Sequence, residues 1–338
     1  MINSFELKNF GPIHHIKCDN LGHINLVIGG NETGKTILLK ALYSAIRTLE
    51  GYRRGNEPRN ASEILAEKLY WTFEVDKIGD LVSKGAEEPL SFRFSFDGKE
   101  FCYGFGKDTT RNIQSLENHL PPRSSNSIFL PTKEVLSLYQ VILESRDLEK
   151  TFGFDDTYVD LARALTQPPQ RGKNHQSFAS SRKHLNEILD GKIEYDDKTR
   201  RWQFKKGNQK FPIGVTAEGI KKISILDTLL GNRYLDPDSV IFIDEPESAL
   251  HPTAISKFLD IIAMLAESGI QFFMASHSYF VIKKLFLVSQ KKENLSIPII
   301  SAVDDHWKTF NLREGLPSNP IIDESIQLYK EEVELALQ

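Results

Sequence analysis

Cysteine is nearly absent from this chain. Cys18 and Cys102 are the only two in 338 residues, and they have no metal-ligand spacing. That argues against a disulfide framework and fits buried or free thiols in a reducing cytosol. Long apolar runs are missing too, so no segment reads as a membrane span. The opening Met1-Ile2-Asn3-Ser4-Phe5-Glu6-Leu7 goes straight into a strand-like alternation and not into a signal peptide. The expectation is a cytoplasmic protein with no membrane partner. Neither charge sign dominates: 42 basic against 46 acidic residues leave a net charge of −4. Contact with nucleic acid would therefore have to come from local patches. There is no internal repeat and no low-complexity tract. What remains is an ordinary globular composition, long enough for two domains or for one α/β core with a large insertion.

The most informative stretch is Gly29-Gly30-Asn31-Glu32-Thr33-Gly34-Lys35-Thr36, which matches the phosphate-binding pattern G-x-x-x-x-G-K-[ST]. Its flanks supply the required context. Ile24-Asn25-Leu26-Val27-Ile28 reads as a short buried strand, and Lys35 to Leu49 as a helix with Ile37, Leu38, Ala41, Leu42, Ala45, Ile46 and Leu49 on one face. Glycines let the backbone wrap a polyphosphate with its N–H groups turned inward, and the helix N-terminus adds partial positive charge. Lys35 is placed to reach the β- and γ-phosphates of a nucleoside triphosphate, and the Thr36 hydroxyl to ligate Mg²⁺.

Around that loop, residues 2–28 read as two or three strands with a turn at Gly11-Pro12. Gly51 to Asn56 is a polar break, Ala61 to Tyr70 a short helix, and Leu90 to Phe96 a strand that turns at Asp97-Gly98 into Glu100–Tyr103. Residues 132–190 are mostly helical in pattern: Val135, Leu136, Leu138, Tyr139, Ile142 and Leu143 form one apolar face, and Asp160–Leu165 and Arg182–Leu189 suggest two more helices. The loop between the last two runs through Pro168 to Lys173. A hairpin follows over 193–204.

The second strong signal is Ser239-Val240-Ile241-Phe242-Ile243-Asp244-Glu245-Pro246, a continuously apolar strand ending in two carboxylates. Such a strand is buried on both faces, as in a parallel sheet between helices. Ligands bind at the carboxyl ends of strands in open α/β sheets, which would face this pair toward the glycine loop. Asp244 suits the Walker B role of holding Mg²⁺, and Glu245 suits a general base acting on the water that attacks the γ-phosphate. Thr253 to Glu267 reads as an amphipathic helix, and Ile270 to Ser276 as a third core strand ending at His277. Ile297–Val303, a mate around Lys308–Leu312 and an acidic helix from Asp323 complete the chain.

Asp244-Glu245-Pro246-Glu247-Ser248-Ala249-Leu250-His251-Pro252 resembles the joined Walker B and D-loop of ABC-type ATPases, in particular the RecF/SMC/OLD-like group of AAA ATPases. Lys8-Asn9-Phe10-Gly11-Pro12 ahead of the P-loop is similar to the opening of that group. The resemblance implies an α/β P-loop NTPase, ABC-ATPase-like, with an N-terminal antiparallel β lobe and a helical arm insertion. Residues 1–131 would be the N-terminal part of the head, 132–210 the arm and hairpin, and 211–338 the C-terminal part. It also implies that His277 is a switch residue at the γ-phosphate and that ATP is sandwiched in a head-to-tail homodimer. The signature segment departs from the family pattern: Val215-Thr216-Ala217-Glu218-Gly219-Ile220-Lys221-Lys222 has Ala217 where a serine is expected and keeps a single glycine, Gly219, for a trans contact to ATP. Gln114 is available as a Q-loop glutamine.

Partners are less defined. Lys198, Arg200, Arg201, Lys205, Lys206 and Lys210 interleave with Trp202 and Phe204, and Arg171, Lys173, Arg182 and Lys183 form a second basic group. Both leave DNA open as a direct partner, although solvated surface is the stronger reading in an acidic chain. Too few residues follow His277 for the Toprim nuclease domain of OLD-type relatives, so Asp304-Asp305 reads as a surface turn. The implied function is an ATPase component of a DNA repair or anti-phage defence complex with a separate effector, such as a nuclease or toxin. The alternative is an ATP-dependent scaffold that holds or releases a toxin or nuclease with little turnover. A transporter ATPase ranks third.

Overall fold

A computed structural model describes residues 1–54, 58–168, 175–303 and 306–337. Gly55 and Asn56 of the polar break, Pro169 to Lys173 with Arg171, and Asp304-Asp305 lie outside the described residues.

In chain order, the first part contains β1 (Ile2–Phe10), β2 (Ile13–Cys18), β3 (Ile24–Ile28), α1 (Lys35–Gly51), α2 (Ala61–Phe73), β4 (Leu90–Phe96), β5 (Lys99–Phe105), β6 (Ser115–Asn118) and β7 (Ile128–Leu130). Then come α3 (Tyr139–Asp147), α4 (Asp156–Leu165), α5 (Ala179–Leu189), β8 (Lys192–Asp196), β9 (Arg201–Lys206) and β10 (Gln209–Pro212). The last part holds α6 (Glu218–Gly231), β11 (Val240–Asp244), α7 (Pro252–Glu267), β12 (Gln271–Ser276), α8 (Tyr279–Lys291), β13 (Pro298–Val303), β14 (His306–Asn311) and α9 (Pro320–Ala336).

β3 has no face for solvent. All five of its residues are buried, and its one polar side chain is satisfied internally: the Asn25 amide donates to the Gly22 and Phe272 carbonyls and accepts from the Gly22 N–H. The strand consequently lies inside a six-stranded sheet of order β14-β13-β3-β12-β11-β7. Its pairings with β12 and β13 are parallel, as are those of β11 with β12 and β7; only β14, at the edge, is antiparallel. Side-chain alternation then divides the core in two. Leu26, Ile28, Ile241, Ile243 and Met274 face α4 to α8, whereas Val27, Phe242, Phe273 and Ile300 face α1, α2 and the N-terminal lobe. Each fully buried Leu, Ile or Phe side chain in these layers contributes about 1.5–3 kcal/mol.

The N-terminal lobe is a five-stranded sheet, β2-β1-β4-β5-β6, antiparallel in every pairing. The Asp97-Gly98 turn connects β4 to β5, with both residues at positive φ. In the segment 132–210, α3, α4 and α5 bury Ile142, Val159, Leu161, Leu185 and Leu189 in the same cluster as Ile241 and Ile243 of the central sheet. β8, β9 and β10 form a third, three-stranded sheet.

Two local differences from the sequence expectations have clear causes. The apolar face beginning at Val135 becomes helical only from Tyr139, because the Glu134 carboxylate accepts the Ser137 N–H at 2.8 and 2.9 Å and holds a turn there. Val135 and Leu136 are buried all the same. α8 occupies a stretch for which no element was expected; it buries Val281, Ile282, Leu285 and Val288 at helical spacing. Among the described residues, no helix is long and apolar enough to cross a membrane.

Candidate functional site

β3, β11 and β12 end side by side, and the segments leaving them form one site. After β3 the chain turns through Gly29–Gly34 and enters α1. Gly34 is the N-cap at φ 91°, a left-handed conformation that costs an L-residue about 1–2 kcal/mol. A Cβ there would also sit 2.9 Å from Ile13 Cγ1 and 3.1 Å from Pro12 Cγ. The Gly11-Pro12 turn between β1 and β2 is therefore seated directly on the last loop glycine, and Glu32 takes a left-handed φ of 66° without being glycine. Lys35 Nζ lies over the loop, donating to the carbonyls of Gly29 at 2.9 Å and Gly30 at 2.6 Å. Burial lowers the Lys35 pKa, opposed by Asp244, Glu245 and Glu247.

Two segments 208 residues apart meet here: Thr36 Oγ1 donates to Asp244 Oδ2 at 3.0 Å. Thr132, just past β7, is a second side-chain partner of Asp244. Burial raises the Asp244 pKa and the Glu245 charge adds to it, while the Thr36 and Thr132 hydrogen bonds oppose the rise. The hydroxyl and carboxylate together form a hard oxygen pair of the kind Mg²⁺ takes when phosphates and water complete its octahedron.

Glu245 follows at φ 49°, left-handed and not glycine. Its N–H donates to the Ala275 carbonyl of β12 at 2.9 Å, and its Oε1 lies 3.3 Å from His277 Nδ1. Ala249 is left-handed as well, at φ 61°, so two such positions fall within five residues of the D-loop-like segment. Non-glycine residues in this region concentrate at functional sites, where surrounding contacts hold them. Glu247 accepts from Ser276 Oγ at 2.8 Å. His251 caps α7, its Nδ1 accepting the Thr253 N–H at 3.3 Å, and Pro252 is the first helical residue. The His-Pro pair is thus a helix start.

Gly29, Lys35, Thr36, Asp244, Glu245 and His277 are brought together. Gly219 is not in that group. It lies in the first turn of α6 under the D-loop-like segment, where a Cβ would meet Leu250 Cδ2 at 2.5 Å and the Ala249 carbonyl at 2.9 Å. Within its own chain, close packing accounts for the glycine. Gln114 lines a groove over β4 and β5 with Ser91, Arg93, Cys102 and Glu117; among the described residues, no member of Gly29–Thr36 and neither Asp244 nor Glu245 borders that groove. In the basic hairpin, the interleaved aromatic residues do not support the weaker reading, a stacking contact with DNA. Trp202 and Phe204 are 4% and 6% exposed, with Trp202 packed edge-on against Tyr139 and tilted against Tyr195. Neither ring is free to stack on a base. Lys192, Lys205 and Lys210 all converge on Glu194.

Sequence reasoning missed Thr132 and Lys222. Lys222, on α6, donates to the Glu245 carbonyl at 2.6 Å and to the Asp244 carbonyl at 3.3 Å. Burial lowers its pKa to about 8 against the pull of Glu247, Asp244 and Glu245. It missed as well a buried ionic network on the far half of α1. Asp160 of α4 accepts from Tyr43 at 2.8 Å, Arg47 at 3.3 Å and Lys68 at 2.8 Å.

Residues 24–283 match the AAA_21 family, described as "AAA domain, putative AbiEii toxin, Type IV TA system". An "ATP/GTP phosphatase" of Helicobacter pylori is 23% identical over 342 residues, covering 87% of this chain and 90% of that protein. The "DNA replication and repair protein RecF" of Oenococcus oeni is 32% identical over 100 residues, which span 29% of this chain and 24% of that protein. Among solved structures, an SMC head bound to the C-winged helix domain of ScpA superposes with a TM-score of 0.53 at 13% identity, covering 92% of this chain and 97% of the other. At that identity the likeness is one of fold.

Proposed function

Because the chain belongs to the AAA_21 family and is an ABC-type P-loop ATPase of the RecF/SMC group, we propose that it works as a head-to-tail dimer which closes on ATP and reopens on hydrolysis. The observation that carries the reading is the 3.0 Å contact between Thr36 and Asp244, with Glu245 and His277 at 3.3 Å beside it. In this reading the N–H groups of Gly29–Thr36 cradle the phosphates and Lys35 neutralises the β- and γ-oxygens. Thr36 and Asp244 hold Mg²⁺, which when bound would screen the charge that builds up on the transferring phosphoryl group. Glu245 takes the proton of the attacking water, and His277, in contact with that carboxylate, reads whether a γ-phosphate is present. Gly219, in the first turn of α6, faces the partner's nucleotide, so each chain supplies half of two sites.

The dimer would serve a DNA repair or anti-phage defence complex whose separate effector, a nuclease or toxin, does the damage. A second reading, a scaffold that holds or releases a toxin with little turnover, is favoured by the toxin in the family's description. Steady-state turnover separates the two. The direct test of the site uses two variants on a sizing column with ATP and Mg²⁺. Glu245→Gln should run as an ATP-loaded dimer, and Lys35→Ala as a monomer without bound nucleotide. A Glu245→Gln monomer under saturating ATP contradicts the proposal.

A further inference from the structure

Lys221 and Lys222 are neighbours on α6, both buried, and they use their charges differently. Lys221 pairs with Glu218 at 2.8 Å and Glu134 at 3.8 Å and donates to Ser137 Oγ. Lys222 forms no ion pair among the described residues. Its ammonium, on a residue only 9% exposed, is spent on two main-chain carbonyls, those of Asp244 and Glu245. Taking an ammonium out of water is expensive, and the nearby Glu247, Asp244 and Glu245 carboxylates, though they favour the charge, make no ion pair with it. It is an unusual use of a buried cation unless the position of those carbonyls matters.

Glu245 shows why it would. The residue is held left-handed, at φ 49°, a conformation that L-residues leave readily unless their surroundings fix it. Its N–H is fixed by the Ala275 carbonyl of β12 and its C=O by Lys222. Both backbone polar groups are thus clamped, one from the sheet and one from α6. The side chain, aimed at His277, carries no comparable restraint and is a third exposed.

We infer that Lys222 is a positioning residue for Glu245: by holding the Glu245 carbonyl it fixes the backbone conformation that aims the carboxylate at the attacking water. The inference rests on the reading of Glu245 as the general base, and it adds a residue that acts through the Glu245 backbone.

The test is ATP hydrolysis by the full chain at a fixed, high protein concentration, comparing wild type, Lys222→Met, Lys222→Arg, Glu245→Gln and the Lys222→Met/Glu245→Gln double variant. Misplacing a reacting group by about 1 Å costs up to about 100-fold. Lys222→Met should therefore lose about 10- to 100-fold in kcat while KM for ATP and the affinity for a fluorescent ATP analogue stay within about 3-fold. Lys222→Arg, which keeps a cationic donor, should recover most of that loss. In the Glu245→Gln background, Lys222→Met should change the residual rate by less than about 2-fold, because the group it positions is gone. A Lys222→Met loss carried by KM, or one of equal size with and without Glu245, overturns the positioning role while leaving Glu245 as the base. Wild-type kcat in Glu245→Gln itself overturns the base reading and the inference with it. Should Lys222→Met fail to fold, Lys222→Gln carries the same test: it keeps a donor for one carbonyl, an intermediate kcat is expected, and wild-type kcat overturns the clamp.

Discussion

Replacing Asp160 by Asn should destabilise the chain by about 3 kcal/mol at pH 7. Asp160 is 8% exposed and its carboxylate is the shared acceptor for Tyr43 and Arg47 of the P-loop helix and for Lys68 of α2. Breaking a buried pair by removing one partner costs about 3–5 kcal/mol, because the other charge is left uncompensated. The lower end applies here, since Lys68 keeps Asp156 at 2.8 Å and Arg47 keeps Glu50 at 2.6 Å. Burial alone would raise the Asp160 pKa, but Lys68, Arg47 and the hydrogen bonds of Lys68 and Tyr43 outweigh it and hold the carboxyl below its usual range. A depressed folded-state pKa means that the stabilisation is complete above the unfolded value of about 3.9 and drains away as pH falls below it. The gap between wild type and Asp160→Asn should accordingly narrow by about 1 kcal/mol between pH 5 and pH 3, at about 1.36 kcal/mol per unit of pH once the unfolded carboxyl is protonated. Urea titrations of both proteins at the two pH values measure this. A difference below about 1 kcal/mol at pH 7, or one that does not change with pH, refutes the idea that this network anchors the far half of α1.

Gly34→Ala should lose ATP binding in a fluorescent-nucleotide titration and lower the melting temperature, because the added methyl meets Ile13 at 2.9 Å in a left-handed position; tight binding by the variant would show that the loop can shift. Trp202→Ala should cost about 3–5 kcal/mol in urea unfolding, as expected for a ring 4% exposed, and an unchanged midpoint would mean that the ring is not part of the core. With iodoacetamide at pH 8, native protein should be alkylated at Cys102 and spared at Cys18, whose thiol is buried and pushed up to about 11; urea should expose both, and fast native labelling of Cys18 on a peptide map would contradict the packing of β2.

Much of the candidate site was legible because its signals are local. The glycine loop declares its strand and helix within a few residues, and an apolar run ending in Asp244-Glu245 is readable as a buried parallel strand. What escaped depends on contacts between distant segments. Lys222 reads as one of two adjacent helix lysines until α6 is laid against the end of β11. Thr132 follows a strand of three residues, β7, too short to show a period. Asp160 and its partners on α1 are separated by more than a hundred residues. The burial of Trp202 and Phe204 is a different case. The alternation Arg201, Trp202, Gln203, Phe204, Lys205 already said that one face of that strand is apolar, and basic neighbours drew attention to the opposite face. Gly219 lies at a helix start, as its sequence context suggested, and packing on Leu250 is by itself enough to require a glycine there.

In the proposed dimer, the loop Gly29–Thr36 is one face of an interface that a second copy closes. The most direct measurement is the initial rate of phosphate release per chain, at saturating ATP and Mg²⁺, over a protein dilution series spanning three orders of magnitude. If each chain holds half of two sites, the rate per chain rises with concentration and levels off as dimers fill, in step with dimer mass measured by light scattering. A rate per chain that stays flat across the series, with the protein monomeric at its dilute end, would contradict a site shared between two chains.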